Sequence, residues 1–202
     1  MTPSASADQD RAASDSAQDT PLGLVWSSFL VALVALLGSL WLSVGMNLKA
    51  CPLCLYQRTF VMGVVGVLGV GLLAGRRHRG VLALLALPAA VGGFGVAAFH
   101  EYLEQTGKLE CPGGVMGVGT APQQSLAVLT LLLALAVVGA VSRARKQDIG
   151  WGAGVGAVAT GVLFAVGAVA SAPPMPAPPT KAYETPLEIC RPPFRPQEAG
   201  SR

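Results

Sequence analysis

The run CPLCLYQRTFVMGVVGVLGVGLLA, residues 51–74, holds one charged side chain, Arg58, in a stretch as long as a bilayer crossing. A helix needs about 20 predominantly apolar residues, within a range of roughly 17 to 25, to span the hydrocarbon core. From about Leu55 to Ala74 this run meets that length, and four others resemble it. One precedes it, from about Leu22 to Met46, and three follow, at about Val81 to Leu103, Ser125 to Val141 and Ile149 to Ala170. The fourth run is short for a crossing and the fifth is rich in Gly and Ala. The reading is an all-α membrane protein, a helical bundle with four core transmembrane helices and a fifth added to them.

Composition agrees. The chain is 52% hydrophobic and 12% charged, against roughly 25% charged in soluble domains, and its mean hydropathy is +0.55. The net charge of +3 gives no nucleic-acid face, because the basic residues fall in short clusters between apolar runs.

Residues 1–21 are rich in Ser, Ala, Asp and Gln and are expected to be a disordered cytoplasmic tail. They lack the basic start and short apolar core of a secretory signal. Residues 22–170 form the bundle, and residues 171–202 a Pro-rich extracytoplasmic tail that carries Cys190. Orientation follows from Arg76, Arg77 and Arg79 in one loop and Arg143, Arg145 and Lys146 in another. The positive-inside rule puts both loops in the cytoplasm, and with them the N-terminus. Cys51, Cys54, Cys111 and Cys190 then all face outside, where disulfides persist. Glycine pairs such as Gly71 with Gly75 and Gly152 with Gly156 suggest close helix packing. Trp26, Trp41 and Trp151 read as interface or packing residues. Glu101, Glu104 and Glu110 flank the outer loop and read as solvated carboxylates rather than an acid–base pair.

The chemistry centres on Cys51-Pro52-Leu53-Cys54. Two cysteines at this spacing close a small disulfide that exchanges readily. Pro52 suits the first turn of a helix, so both sulfurs would sit at a helix N-terminus, where the dipole favours a thiolate. Arg58 lies four residues past Cys54, on the same face, and would stabilise that thiolate or an anionic acceptor. A structural disulfide beside a snorkelling arginine is the alternative. Zinc is a further one, but it wants four clustered ligands, and no second close pair is visible. No metal is expected.

The run from Cys51 to Arg58 resembles the signature of the bacterial disulfide bond formation protein B family. The likeness covers roughly residues 24–142 and extends to His100, at the outer end of the third run, and to the Gly119–Gln123 stretch. It implies an enzyme of the bacterial cytoplasmic (inner) membrane that reoxidises a periplasmic thioredoxin-fold dithiol oxidase and passes electrons to a quinone, ubiquinone or menaquinone. By position, Cys54 would adjoin the quinone with Cys51 as its disulfide partner, Arg58 would hold the quinone, and His100 would line the same site. A cation there suits a ring whose oxygens gain negative charge on reduction.

This chain departs from the family pattern in its second cysteine pair. Four-span members carry both of those cysteines between the third and fourth spans, whereas here the loop holds only Cys111. The expected partner is Cys190, beyond the fifth span, on a loosely held tail. As an extended polyproline-like spacer of about 19 residues at about 3.1 Å each, the tail could reach about 60 Å. Cys111 and Cys190 are therefore expected to form the second exchangeable pair, with Cys190 meeting the partner and Cys111 relaying to Cys51–Cys54; a static staple is the alternative. A quinone-linked oxidoreductase of the vitamin K epoxide reductase type is a rival, but there the CxxC follows the relay pair. A non-catalytic membrane subunit with bracing disulfides is another.

Overall fold

The computed structural model describes residues 22–74, 79–146 and 151–195. Five helices occupy them: α1 (Leu22–Val44), α2 (Pro52–Leu73), α3 (Arg79–Gln105), α4 (Ala121–Lys146) and α5 (Trp151–Ser171). Each is long and apolar enough to cross a membrane. Outside them, the regular structure among the described residues is a 3₁₀ turn at Val115–Gly117 and two isolated β-bridges. The all-helical membrane bundle expected from the five apolar runs is thus present. The fourth run, short by sequence, is lengthened at both ends to a 26-residue helix. The tail at 1–21, Gly75, Arg76 and Arg77, and residues 196–202 of the C-terminal tail lie outside the described residues.

The start of α4 explains that extension. Thr120 and Gln123 form a capping box: Thr120 N–H donates to Gln123 Oε1 (3.2 Å), and Gln123 N–H to Thr120 Oγ1 (3.5 Å). Gln124 pins the preceding loop by accepting from Val115 N–H (2.8 Å) and donating to the carbonyls of Val115 and Val118. Gly119 turns the chain into the cap with φ of 63°, a left-handed conformation that favours glycine.

Helix α3 is the hub, packing against α2, α4 and α5, while α1 closes the bundle against α2 and α4. Val64, Leu68, Leu82, Leu87, Leu129 and Leu132 fill the main core. A second cluster at the other end joins Cys51, Leu53, Val96, Leu103, Leu109 and Cys111. The connections α1–α2 and α3–α4 and the segment after α5 meet at that end, so the topology gathers all four cysteines there.

The glycine spacings need a correction. Gly71 is buried against Leu82, as close packing requires, but Gly152 and Gly156 face open space on α5. The contact of α5 is Gly161, where an added Cβ would meet Val91 Cβ at 2.5 Å and the Pro88 carbonyl at 2.7 Å. Pro88 sits inside α3, so its carbonyl belongs to rigid backbone that cannot yield. Gly161→Val is expected to destabilise the protein by about 1–3 kcal/mol through overpacking, read as a lowered thermal transition in detergent. Gly156→Val should leave that transition in place; the reverse ranking would refute this docking of α5.

Candidate functional site

Cys51 does not belong to α2 but caps it. Its backbone is extended (φ −73°, ψ 163°), Pro52 follows in the first turn, and its sulfur accepts from Cys54 N–H at 3.3 Å. The sulfur takes the place of the usual Ser or Asp oxygen at an N-cap, where the helix dipole favours negative charge. Cys51 and Cys54 are free thiols with sulfurs 2.8 Å apart. The Cys51 thiol is pulled from its ordinary value of 9.0 to about 5, first by the hydrogen bond from Cys54, with His100 adding to it and burial opposing.

His100, on α3, is fully buried. Its Nε2 lies 3.5 Å from Cys111 Sγ and 3.8 Å from Cys51 Sγ. Its Nδ1 lies 3.3 Å from Gln57 Nε2, and Gln57 Oε1 accepts from the Ser125 hydroxyl of α4. His100 therefore touches a cysteine of each pair. Gln57 and Ser125 were not singled out by sequence. Gln57 stands three residues beyond Cys54, hence on the same helical face, which was the available signal; nothing marked Ser125.

Cys111 and Cys190 are disulfide-bonded, with Cα atoms 4.2 Å apart. Their neighbours hold the two segments together. Glu110 and Arg191 exchange backbone hydrogen bonds of 2.8 and 3.0 Å, and Arg191 Nε donates to Glu110 Oε1 at 2.8 Å. Arg191 also lies over the Tyr183 ring, 3.7 Å from its centroid, while Arg195 donates to the Gly107 carbonyl and Lys49 N–H to the Glu188 carbonyl. The tail expected to be loosely held is docked along Glu188–Arg195. The partly exposed ion pair alone contributes at most about 1 kcal/mol, so the two backbone bonds and the disulfide define the register.

The outer-loop reading of the carboxylates also changes. Glu101 and Glu104 lie within α3. Glu101 is buried with Oε2 unpartnered, Glu104 accepts from Thr120 Oγ1 at 2.7 Å, and only Glu110 lies in the loop. The third run stops at about Leu103, short of Glu104, whereas α3 continues to Gln105.

A cavity of about 580 Å³ opens beside the cysteines, between α1, α2 and α4. Val31, Ala35, Leu42, Val61 and Val128 give it apolar walls, and Cys54, Gln57, Arg58, Ser125 and Cys190 reach it as polar groups. Its size lies in the range of small-molecule sites, roughly 300–1,000 Å³. Arg58 crosses to α1, donating to Ser39 Oγ (3.1 Å), the Ser39 carbonyl (2.9 Å) and Ser43 Oγ (2.7 Å). None of these partners carries charge, so the guanidinium remains available to an anionic ligand. An apolar ring with two oxygens fits these walls and this cation.

Folding also supplies what the spacing argument against zinc found missing. The sulfurs of Cys51, Cys54 and Cys190 and a nitrogen of His100 lie within 4.8 Å of one another. The chemistry still disfavours a metal here, because the Cys190 sulfur is bonded to Cys111 and offers no thiolate.

In protein with Cys51 and Cys54 reduced, the thiolate ultraviolet absorbance should persist as pH falls and disappear only near pH 5, where Cys51 takes up its proton. Loss of the whole signal near the ordinary value of 9.0 would contradict the described capping geometry.

The family described as "Disulfide bond formation protein DsbB" matches residues 23–127, just over half of the chain. A "Probable disulfide formation protein" of Coxiella burnetii is 40% identical over 81 residues, covering 40% of this chain and 52% of its own. One of the same description from Deinococcus radiodurans is 42% identical over 84 residues, covering 42% and 51%. "Disulfide bond formation protein B" of Burkholderia thailandensis is 37% identical over 84 residues, covering 41% and 49%. The chain thus spans about half the length of the curated relatives it matches, and no solved structure matches it. The matched segment contains α1 to α3, Cys51, Cys54, His100, Cys111 and the start of α4, and by it the chain belongs to the DsbB family of disulfide bond formation proteins.

Proposed function

We propose that this chain is a membrane thiol–disulfide oxidoreductase of the bacterial cytoplasmic membrane, supporting disulfide bond formation by carrying electrons from a reduced thioredoxin-fold protein outside to a quinone in the bilayer. One observation carries the reading: two cysteine pairs meet at one buried histidine, and a cysteine of each, Cys54 and Cys190, reaches an apolar cavity that Arg58 also lines. Arg79 opens α3, and Arg143, Arg145 and Lys146 close α4, at the bundle end opposite the cysteines. The positive-inside rule then turns the cysteines outward.

Cys190 is half-buried and Cys111 buried, which favours Cys190 as the sulfur the partner attacks. The partner's thiolate forms a mixed disulfide with Cys190 and releases Cys111 as thiolate. The partner's second thiol then resolves that bond, leaving the partner oxidised and Cys111 and Cys190 reduced. Cys111 attacks Cys51 of an oxidised Cys51–Cys54 pair, displacing Cys54 as thiolate. Cys190 next attacks Cys111, restoring their disulfide and releasing Cys51. Two electrons then rest on Cys51 and Cys54. A quinone held in the cavity, ubiquinone or menaquinone, would supply the acceptor for two electrons and two protons as the Cys51–Cys54 disulfide re-forms. Arg58 would hold the acceptor and balance its developing charge, and Cys54 lines the same cavity.

A second reading, in which Cys111–Cys190 is a static staple, is favoured by the Glu110–Arg191 clamp beside it. Quinone reduction by the full chain in detergent separates the two. The relay requires turnover with a reduced thioredoxin-fold dithiol protein, abolished in Cys51→Ala. Cys190→Ala should lose turnover with that protein yet keep it with a small dithiol that reaches Cys51–Cys54 directly. Arg58→Met should raise KM for quinone about tenfold, the scale of a lost charge-assisted contact. Full turnover of Cys190→Ala with the protein donor would leave a staple, and no turnover of the wild type with any donor would end the quinone reading.

A further inference from the structure

The contacts of His100 have a direction. Gln57 Oε1 is committed as acceptor to the Ser125 hydroxyl, which leaves the Gln57 amide N–H₂ facing His100 Nδ1 at 3.3 Å. An N–H₂ group can only donate, so Nδ1 must be the bare nitrogen and Nε2 must carry the proton. That N–H points at the sulfurs of Cys111 and Cys51. The other tautomer would set two donors against each other on one side and present a lone pair to two sulfurs on the other. Both side chains are buried, His100 at 0% and Gln57 at 5% exposure, so water offers little compensation for a mismatched bond.

We propose that Gln57, anchored by Ser125, is a positioning residue that fixes His100 as the Nε2–H tautomer, making it a standing hydrogen-bond donor to whichever of Cys111 and Cys51 carries negative charge during transfer between the two pairs. The role rests on the relay proposed above, but the tautomer does not. In that transfer Cys111 thiolate bonds to Cys51 as Cys54 leaves; Cys190 then bonds to Cys111 as Cys51 leaves. The thiolate that attacks first and the one released last are Cys111 and Cys51, the two sulfurs that face Nε2. One fixed donor thus serves both ends of the exchange with no proton transfer to the ring. Gln57 touches neither sulfur and acts only through His100.

The test has two parts, both on the full chain in detergent. First, ¹⁵N-histidine NMR reads the tautomer. The chain has two histidines, His78 and His100, and the His78→Gln variant assigns the signals. The expected spectrum shows a protonated Nε2 and a bare Nδ1 on His100; a protonated Nδ1 in the wild type would overturn the proposal, whatever the enzyme does. Second, quinone-free protein with both pairs oxidised receives a stoichiometric dithiol and is acid-quenched and alkylated over time, giving the rate of transfer between pairs. Gln57→Leu should mix the tautomers and slow this transfer about tenfold or more, the scale of one hydrogen bond to a charged group. Ser125→Ala, which frees the Gln57 amide to turn over, should slow it less, and the double variant no more than Gln57→Leu alone. Unchanged transfer in Gln57→Leu, or additive effects, would refute the positioning role. Should Gln57→Leu not fold, the wild-type tautomer and Ser125→Ala decide. Absence of quinone turnover with this tautomer intact would refute the quinone reading and leave the Gln57 assignment standing.

Discussion

A single buried imidazole organises this molecule's chemistry. His100 has no exposure, and its two nitrogens face opposite demands: sulfurs of two cysteine pairs on one side, an amide on the other. A buried polar ring is costly unless both nitrogens are matched, and the match draws on α2, α3, α4 and the loop between α3 and α4. This explains why those elements must meet at one end of the bundle. Cys51 reaches the ring because it caps α2 rather than lying within it, and Cys111 reaches it because the loop after α3 folds back over the end of that helix. Losing Gln57, or both sulfurs, leaves an unsatisfied nitrogen beside an apolar cluster of Leu53, Val96, Leu103 and Leu109.

The tail solves a different problem. The second cysteine pair is split between a loop and a segment beyond α5, 79 residues apart, so two sulfurs must be held in register across a gap in the chain. Docking α5 against α3 brings the end of the fifth helix to the cysteine end, and Tyr56 of α2 meets Ser171 there at 3.2 Å. The short antiparallel bridge between Glu110 and Arg191, each beside its cysteine, fixes the final register. Its hydrogen bonds do not depend on the disulfide, so the two sulfurs can remain neighbours when reduced. A pair divided in this way can serve as a covalent relay without the tail being released in each cycle.

Legibility in the sequence followed the range of the interactions. Five spans could be read because burial in lipid demands long uncharged runs, and these are local in sequence. The CxxC, its helix-opening proline and Arg58 could be read for the same reason, as consequences of spacing along one helix. What could not be read arises between helices. Gln57 looks like one polar residue near a helix start until Ser125 and His100 arrive from α4 and α3. Glu101 looked solvated as a charge near the outer end of the third run, and its burial shows only in the folded bundle. Gly152 and Gly156 have the spacing of a packing motif but face away, and the glycine that matters, Gly161, is identified only by the Pro88 carbonyl opposite it. The near-tetrad of Cys51, Cys54, His100 and Cys190 was invisible because its members lie on segments far apart in sequence.

The relay requires the two cysteine pairs to stand within bonding reach through Cys51 and Cys111. The most direct measurement uses the Cys54→Ser, Cys190→Ser double variant in native membranes, where these two are the remaining cysteines. Mild oxidation followed by non-reducing mass spectrometry should find an intramolecular Cys51–Cys111 disulfide in most of the protein. If both thiols stay free and alkylatable while the protein remains folded, the two pairs do not communicate and the relay is wrong.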